Sequence, residues 1–271
     1  MMKGTVGLLI GDLGNPFYAQ LATAITRSMD DEGWACLVTH CSENSDIQAM
    51  MADQLVASGV RGLIATEPHS PEVLSRVDVP VVAVDRTEQD VPFVASDGEH
   101  GGRLVAAHLI EAGYRRCGVV YAEPETWSVR DRLTGFRLGL QGNSQAQIEP
   151  NLEIDCGVIA YDESRSAAKQ LIEAGADAIF AINDYLALGV LAAVADAGRR
   201  PGEDVGVVGF DDTSVAGLPN ISLTSVAQGI DQLAARAAGM LVQRITRPQQ
   251  QVPPVILRPR LIARDSTRRD R

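Results

Sequence analysis

Residues 6–33 read VGLLIGDLGNPFYAQLATAITRSMDDEG, and this stretch decides the fold. Val6 to Ile10 form a short apolar run, β-branched at both ends, as suits a strand covered on both faces. Leu21, Ile25 and Met29 then recur at helical spacing, and Gly33 is placed to stop that helix. The unit is therefore strand, turn, helix. It repeats outward along the chain. Strands are expected at Ala35–Thr39, Leu63–Thr66, Val81–Val84 and Phe93–Ala95, with helices over Asp46–Ser58 and Pro71–Val77. A second series begins with a helix through Leu104, Val105, His108 and Leu109 that ends at Gly113. It continues with strand Cys117–Tyr121, helix Asp131–Leu140, strand Ile154–Val158 and helix Ser164–Ala174. Strand Ala178–Ile182, helix Tyr185–Ala197 and strand Val205–Phe210 complete it. Such alternation is the signature of βαβ units and parallel sheets. The expected class is α/β, with two doubly wound parallel-sheet halves in tandem. After Ser225 a last helix carries Ile230, Leu233, Ala237, Leu241 and Ile245 on one face. An extended segment, Val255–Ala263, then leads to a basic tail expected to be solvated.

The formal net charge of −11 bears on partners. Binding to the DNA backbone rests on Lys and Arg displacing counterions, so this acidic surface should repel DNA, and any operator contact needs a separate basic module. The cysteines Cys36, Cys41, Cys117 and Cys156 form no C-x-x-C pair and read as buried thiols in a reducing compartment. No apolar segment suits an export signal or a membrane span. The expected location is the cytoplasm, with no membrane partner.

In open parallel sheets ligands bind at the carboxyl ends of the strands. Those ends carry Asp12, Phe17 and Tyr18, then Asp85 and Arg86, then Asn183 and Asp184, then Asp211 and Asp212. Arg130 and Arg132 fall in the loop or first turn after the Cys117–Tyr121 strand, and Trp127 could cover the site's mouth. Carboxylates that accept from hydroxyls, arginines that donate in a fork and rings that stack suit a small polyhydroxylated or heterocyclic ligand. Each residue also has a plainer role: Asp12 and Asp211 as helix caps, Phe17 and Tyr18 as core, Arg132 as a surface charge. Catalysis finds less support. The chain has no G-x-G-x-x-G, no Walker loop and no G-x-S-x-G elbow. His40, His69, His100 and His108 lack metal-ligand spacing, and His108 reads as core. Neither a cofactor nor a metal is expected.

Several segments resemble, in order, the effector-binding domain of the lactose-repressor/galactose-repressor (LacI/GalR) family. They are VGLLIGDLGNPFYAQL, VPVVAVDR, GGRLVAAHLIEAGYRRCGVV, RDRLTGFRLGL, AINDYLALGVLAAVADAG, DVGVVGFDDTSVAGLPNISLTSVAQ and RPRLIARDST. The resemblance spans nearly the whole chain. It implies two periplasmic-binding-protein-like lobes of type I joined by three crossings, with the effector between them. The expected lobes are residues 1–97 with 229–258, and 98–228 with 259–271. Carried over by position, Phe17 and Tyr18 match an effector-touching pair, with Asp12 close by. Asp85 matches a polar contact, with Arg86 adjacent. Arg132 matches the effector-gripping arginine, with Arg130 nearby. Asn183 and Asp211 match polar contacts of the second lobe, and Gln228 and Asp97 lie at crossings. The resemblance implies a homodimeric bacterial regulator, a repressor that binds a sugar-like effector and reaches operator DNA through a helix-turn-helix not found in these residues. The sequence departs from the family at DGEH (97–100), where many members have Asp-Asn, and around Tyr161. A solute-binding protein of a transport system shares the fold and is the alternative; it would need an export signal or lipid anchor.

Overall fold

The computed structural model describes residues 2–40, 45–66, 74, 77–85, 91–141 and 152–269. The expected Pro71–Val77 helix and Arg86 fall outside these residues, Leu74 and Val77 excepted. The chain divides into two compact units, Met1–Ser96 with Gly229–Leu257, and Asp97–Gln228 with Arg258–Arg271. It passes from one to the other three times, and Asp97 and Arg258 both belong to the second unit.

The first unit opens with β1 (Gly4–Ile10), α1 (Pro16–Asp31), β2 (Trp34–His40), α2 (Ser45–Ala57), β3 (Leu63–Thr66), β4 (Val81–Val84) and β5 (Phe93–Ser96). The second holds α3 (Gly98–Glu111), β6 (Cys117–Tyr121), α4 (Trp127–Leu140), β7 (Glu153–Asp155) and α5 (Tyr161–Glu173). It continues through β8 (Ala178–Ala181), α6 (Asp184–Asp196), β9 (Gly206–Asp211) and β10 (Thr224–Ala227). The chain then returns to the first unit for α7 (Ile230–Thr246) and β11 (Val255–Leu257), and ends in the second with β12 (Arg260–Ile262).

Local chemistry accounts for the first βα unit. Val6, Leu8 and Ile10 of β1 bury one face against Leu21 and Ile25 of α1 and Leu233 and Ala237 of α7. Leu9 points the other way, to Leu55 and Leu63, as the two-residue period of a strand requires. Asn15 caps α1 by accepting from the Phe17 amide at 3.0 Å, Pro16 occupies its first turn, and Gly33 ends it at φ +78°.

Among the described residues both sheets have six strands and the same order. In the first unit it is β11-β5-β4-β3-β1-β2, all parallel. In the second it is β12-β10-β9-β8-β6-β7, parallel except for β12. The direction of winding reverses between β1 and β3 and again between β6 and β8, the points at which open α/β sheets take ligands.

In the second unit α3 and α4 pack through glycines. A Cβ on Gly102 would lie 2.2 Å from the Arg132 carbonyl oxygen, and one on Gly135 would lie 2.0 Å from that of Glu99. The two helices thus approach backbone to backbone, and this contact fixes where Arg132 stands.

Several elements depart from the sequence reading. Helix α4 begins at Trp127 rather than Asp131, so Arg130 and Arg132 are helical residues. Helix α5 begins at Tyr161 rather than Ser164, and β7 covers Glu153–Asp155. Strand β10 was not expected: its Thr224 and Ser225 are polar yet fully buried. The segment Val255–Ala263 is two strands, one for each sheet. The tail is partly docked, because Arg269 lies 4.0 Å from the Tyr114 ring centroid and donates to the Gly113 carbonyl at 3.0 Å. Cys36 and Cys156 are only half-buried, Cys117 is fully buried, and Cys41 lies outside the described residues. His108 is half-buried and has its Nε2 2.7 Å from Thr267 Oγ1. No helix among the described residues is long and apolar enough to cross a membrane.

Candidate ligand-binding site

In the second unit the strand ends assemble one connected group around Arg132, which α4 supplies. Its guanidinium carbon stands 4.0 Å from the centroid of the Phe210 ring, and the residue is 8% exposed. Nη1 donates to the Ile182 carbonyl at 2.9 Å and lies 3.7 Å from Asp211 Oδ1. Nε is buried without a hydrogen-bond partner, and no described residue pairs with Nη2. A buried donor left unmade costs about 1–3 kcal/mol. The arginine is thus held by stacking, one carbonyl and one carboxylate, with donor capacity left over.

Asp211 closes β9 at φ +118°, in the left-handed region that non-glycine residues rarely adopt, and Asp212 follows at φ +54°. Asp211 Oδ1 also accepts from Gln228 Nε2 at 2.7 Å. Gln228 follows β10, so strands β9 and β10 contribute adjacent partners. Asn183 sits where β8 meets α6 and caps that helix, its Oδ1 accepting from the Leu186 amide at 2.8 Å. The residue is 4% exposed, and its side-chain hydrogen bond among the described residues is made by Oδ1, not Nδ2. Four candidates therefore share one strand edge: Arg132, Asp211 and Gln228 in contact, and Asn183 next to the carbonyl that anchors the arginine.

Behind them lies a carboxylate with a different function. Asp184 accepts from Ser225 Oγ at 2.6 Å, from the Thr213 amide at 2.7 Å and from Thr213 Oγ1 at 2.9 Å. Burial pushes its carboxyl up, to about 6, against the pull of those hydrogen bonds.

Arg130 is not in this group. Two residues back it lies on another face of α4 and stacks on Trp127 at 4.7 Å.

In the first unit the turn after β1 is pinned from both sides. The Gly11 amide donates to Thr66 Oγ1 at 2.9 Å, and the Gly11 carbonyl lies 2.9 Å from His40 Nδ1. Thr66 ends β3 and His40 ends β2, so the point where winding reverses is rigidly framed. Asp12 is exposed and turns the chain, accepting from the Gly14 amide at 2.7 Å; the helix cap is Asn15. Phe17 is half-buried and Tyr18 buried, with ring centroids 5.3 Å apart in an edge-on pair. Asp85 follows β4 at φ +85°, its amide donating to the Val94 carbonyl at 2.8 Å. By sheet order β4 and β9 occupy equivalent places, and each leads into a left-handed aspartate. Strain of that kind costs about 1–3 kcal/mol and clusters at ligand sites. Asp97, placed at a crossing, caps α3 by accepting from the His100 amide at 2.9 Å.

The sequence reading missed Phe210 as the stacking surface, the Ile182 carbonyl, and the roles of Thr66, His40, Thr213 and Ser225. Only Phe210 had a visible signal, an aromatic residue directly before the Asp-Asp pair.

A family of periplasmic binding protein-like domains matches residues 106–267. The chain is 30% identical over 273 residues to the ribose operon repressor of Escherichia coli (strain K12), covering 97% of this chain and 82% of that protein. Among solved structures, the transcriptional regulator CelR–cellobiose complex superposes with TM-score 0.85 at 27% identity, covering 97% of this chain and 84% of that one. A LacI family transcriptional regulator from Enterococcus faecium with bound ribose gives TM-score 0.85 at 25% identity, covering 98% of this chain and 100% of that one.

Proposed function

Because the chain belongs to the LacI/GalR family of transcriptional regulators, we propose that it is the effector-binding and dimerisation part of a repressor, and that its strand ends hold a neutral sugar. The observation that carries this reading is the state of Arg132: anchored on one side by Ile182 and Asp211, backed by Phe210, and left with donors that no described residue uses. A sugar hydroxyl satisfies such donors. Asn183 Nδ2 supplies another, and Asp211 accepts in return. Asp12, Phe17, Tyr18, Asp85 and Arg86 are assigned to ligand binding in the first unit, with the Phe17–Tyr18 pair offering a ring face. Arg130 serves at the margin with Trp127. Paired aspartates favour a neutral polyol over a phosphate ester.

The mechanism is a population shift. An effector that prefers one of two arrangements of the protein draws it toward that arrangement and changes DNA affinity by the same coupling. One that binds both arrangements equally shifts nothing. DNA contact is assigned to a basic module other than these acidic residues, and the compartment to the cytoplasm. The role is binding rather than turnover, so a bound sugar should be recovered unchanged. Relatives that are regulators over 97% of this chain favour this reading over transport.

A thermal-shift screen of pentoses, hexoses, disaccharides and their phosphates tests it. Ligand at 100 times its Kd stabilises the native state by about 2.7 kcal/mol, or roughly 5–10 °C for a chain of this size. A neutral sugar should give that shift; a larger shift from its phosphate ester, or none from any sugar, defeats the reading.

The dimer is assigned to the first unit. Leu37 and Val38 on the edge strand β2, and Ile47 and Met50 on α2, are large apolar residues 37–47% exposed. A shallow groove of about 430 Å³ beside Met50 is lined by Asp46, Ala49, Asp53, Gln54 and Ala57. Met50→Asp should weaken dimerisation by about 2 kcal/mol or more, as for a hot-spot residue. Light scattering at tens of micromolar should then show a monomer where the parent is a dimer.

A further inference from the structure

We propose that Asp184 is a positioning residue whose carboxylate holds the Asp211–Asp212–Thr213 elbow and so aims Asp211 at the ligand. This rests on the assignment of Asp211 to the effector. Asp184 opens α6, where an aspartate ordinarily serves its own helix. Here Asn183 already fills that role through the Leu186 amide, and Asp184 reaches across to the β9–β10 connection instead. One oxygen takes both the amide and the hydroxyl of Thr213; the other takes the Ser225 hydroxyl, whose oxygen in turn accepts from the Asp212 amide at 3.0 Å. The amides that follow Asp211 are therefore both tied to this one group, directly or through Ser225.

The elbow needs such a tie. Asp211 and Asp212 are both at positive φ, which L-residues with a Cβ adopt only when surroundings enforce it. The backbone of β9 is shaped to admit the carboxylate, since a Cβ on Gly209 would lie 2.3 Å from Asp184 Oδ1. No cation among the described residues forms an ion pair with Asp184, and it is 3% exposed. A buried carboxylate without a counter-ion is costly, so packing alone does not account for it. Among the described residues, the hydrogen bonds to its carboxylate come from the elbow or from the strand beside it.

The test uses Asp184→Asn in the whole chain. The amide keeps the volume but puts a donor where a second acceptor stood, so one tie is lost. Amide hydrogen exchange at Asp212 and Thr213 should accelerate about tenfold or more, with exchange in β1 and the melting temperature little changed. D-ribose, the probe suggested by the relatives, should bind at least tenfold more weakly to the variant. Parental protection of both amides, or parental D-ribose affinity beside faster exchange, overturns the proposal. Absence of D-ribose binding by the parent counts against ribose as effector, and the exchange result then decides alone. Should Asp184→Asn fail to fold, Ser225→Ala cuts only the link to the Asp212 amide. Protection should then fall there, and unchanged protection is the overturning result.

Discussion

Arg132→Ala should weaken sugar binding by about 2–3 kcal/mol, the loss of charge-assisted hydrogen bonds in a mostly desolvated site, or roughly 30–150-fold in Kd. The parent holds the guanidinium between the Phe210 ring and the Ile182 carbonyl, so little ordering remains for the ligand to impose. Arg132→Lys should recover little, because an ammonium neither stacks as a plane nor presents a fork. Asp211 keeps its bond from Gln228 in either variant, so the carboxylate is not stranded and the fold should survive. Calorimetry with a sugar found by the thermal screen provides the measurement. Unchanged affinity in Arg132→Ala removes the arginine from the site.

Gly135→Ala should destabilise the protein by about 3 kcal/mol, against the sign that helix propensity alone gives. In an open helix interior alanine is better than glycine by about 0.5–1 kcal/mol. At Gly135 the new Cβ would stand 2.0 Å from the Glu99 carbonyl oxygen, and a backbone atom in another helix cannot step aside as a side chain can. Overpacking of this kind costs about 1–3 kcal/mol and at times more, enough to lower the melting temperature by roughly 6–12 °C. Gly239→Ala is the control. It lies in α7 with no atom within 4 Å of its would-be Cβ, and it should gain about 0.5–1 kcal/mol. A Gly135→Ala protein that melts with or above the parent would show that α3 and α4 do not meet through this contact.

Much of the architecture was legible because burial on both faces of a parallel sheet demands uninterrupted apolar runs. Val6–Ile10, Val81–Val84 and Val205–Phe210 announce themselves for that reason. Strand β10 did not, since Thr224 and Ser225 satisfy their hydroxyls internally, with Thr267, Arg264 and Asp184, and no periodicity records such partners. The start of α4 was obscured because Trp127-Ser-Val-Arg carries no capping signal; its N-cap Thr126 makes no side-chain cap bond. The polar set at the strand ends could be read from position alone. What Arg132 leans on could not: Phe210 is remote in the chain, and the tie from Asp184 spans 29 residues to Thr213 and 41 to Ser225. The spacings Gly98-x3-Gly102 and Gly135-x3-Gly139 were a signal for close helix contact that the sequence offered and periodic reading of apolar residues passes over.

Strands β11 and β12 link the fates of the two sheets. Strand β11 completes one sheet and β12 the other, with only Arg258 and Pro259 between them. The segment Val255–Ile262 gives each sheet one edge strand, so a single local lesion there is expected to weaken both units at once. A chain cut before Val255 should lose protection from hydrogen exchange in both sheets together rather than in one.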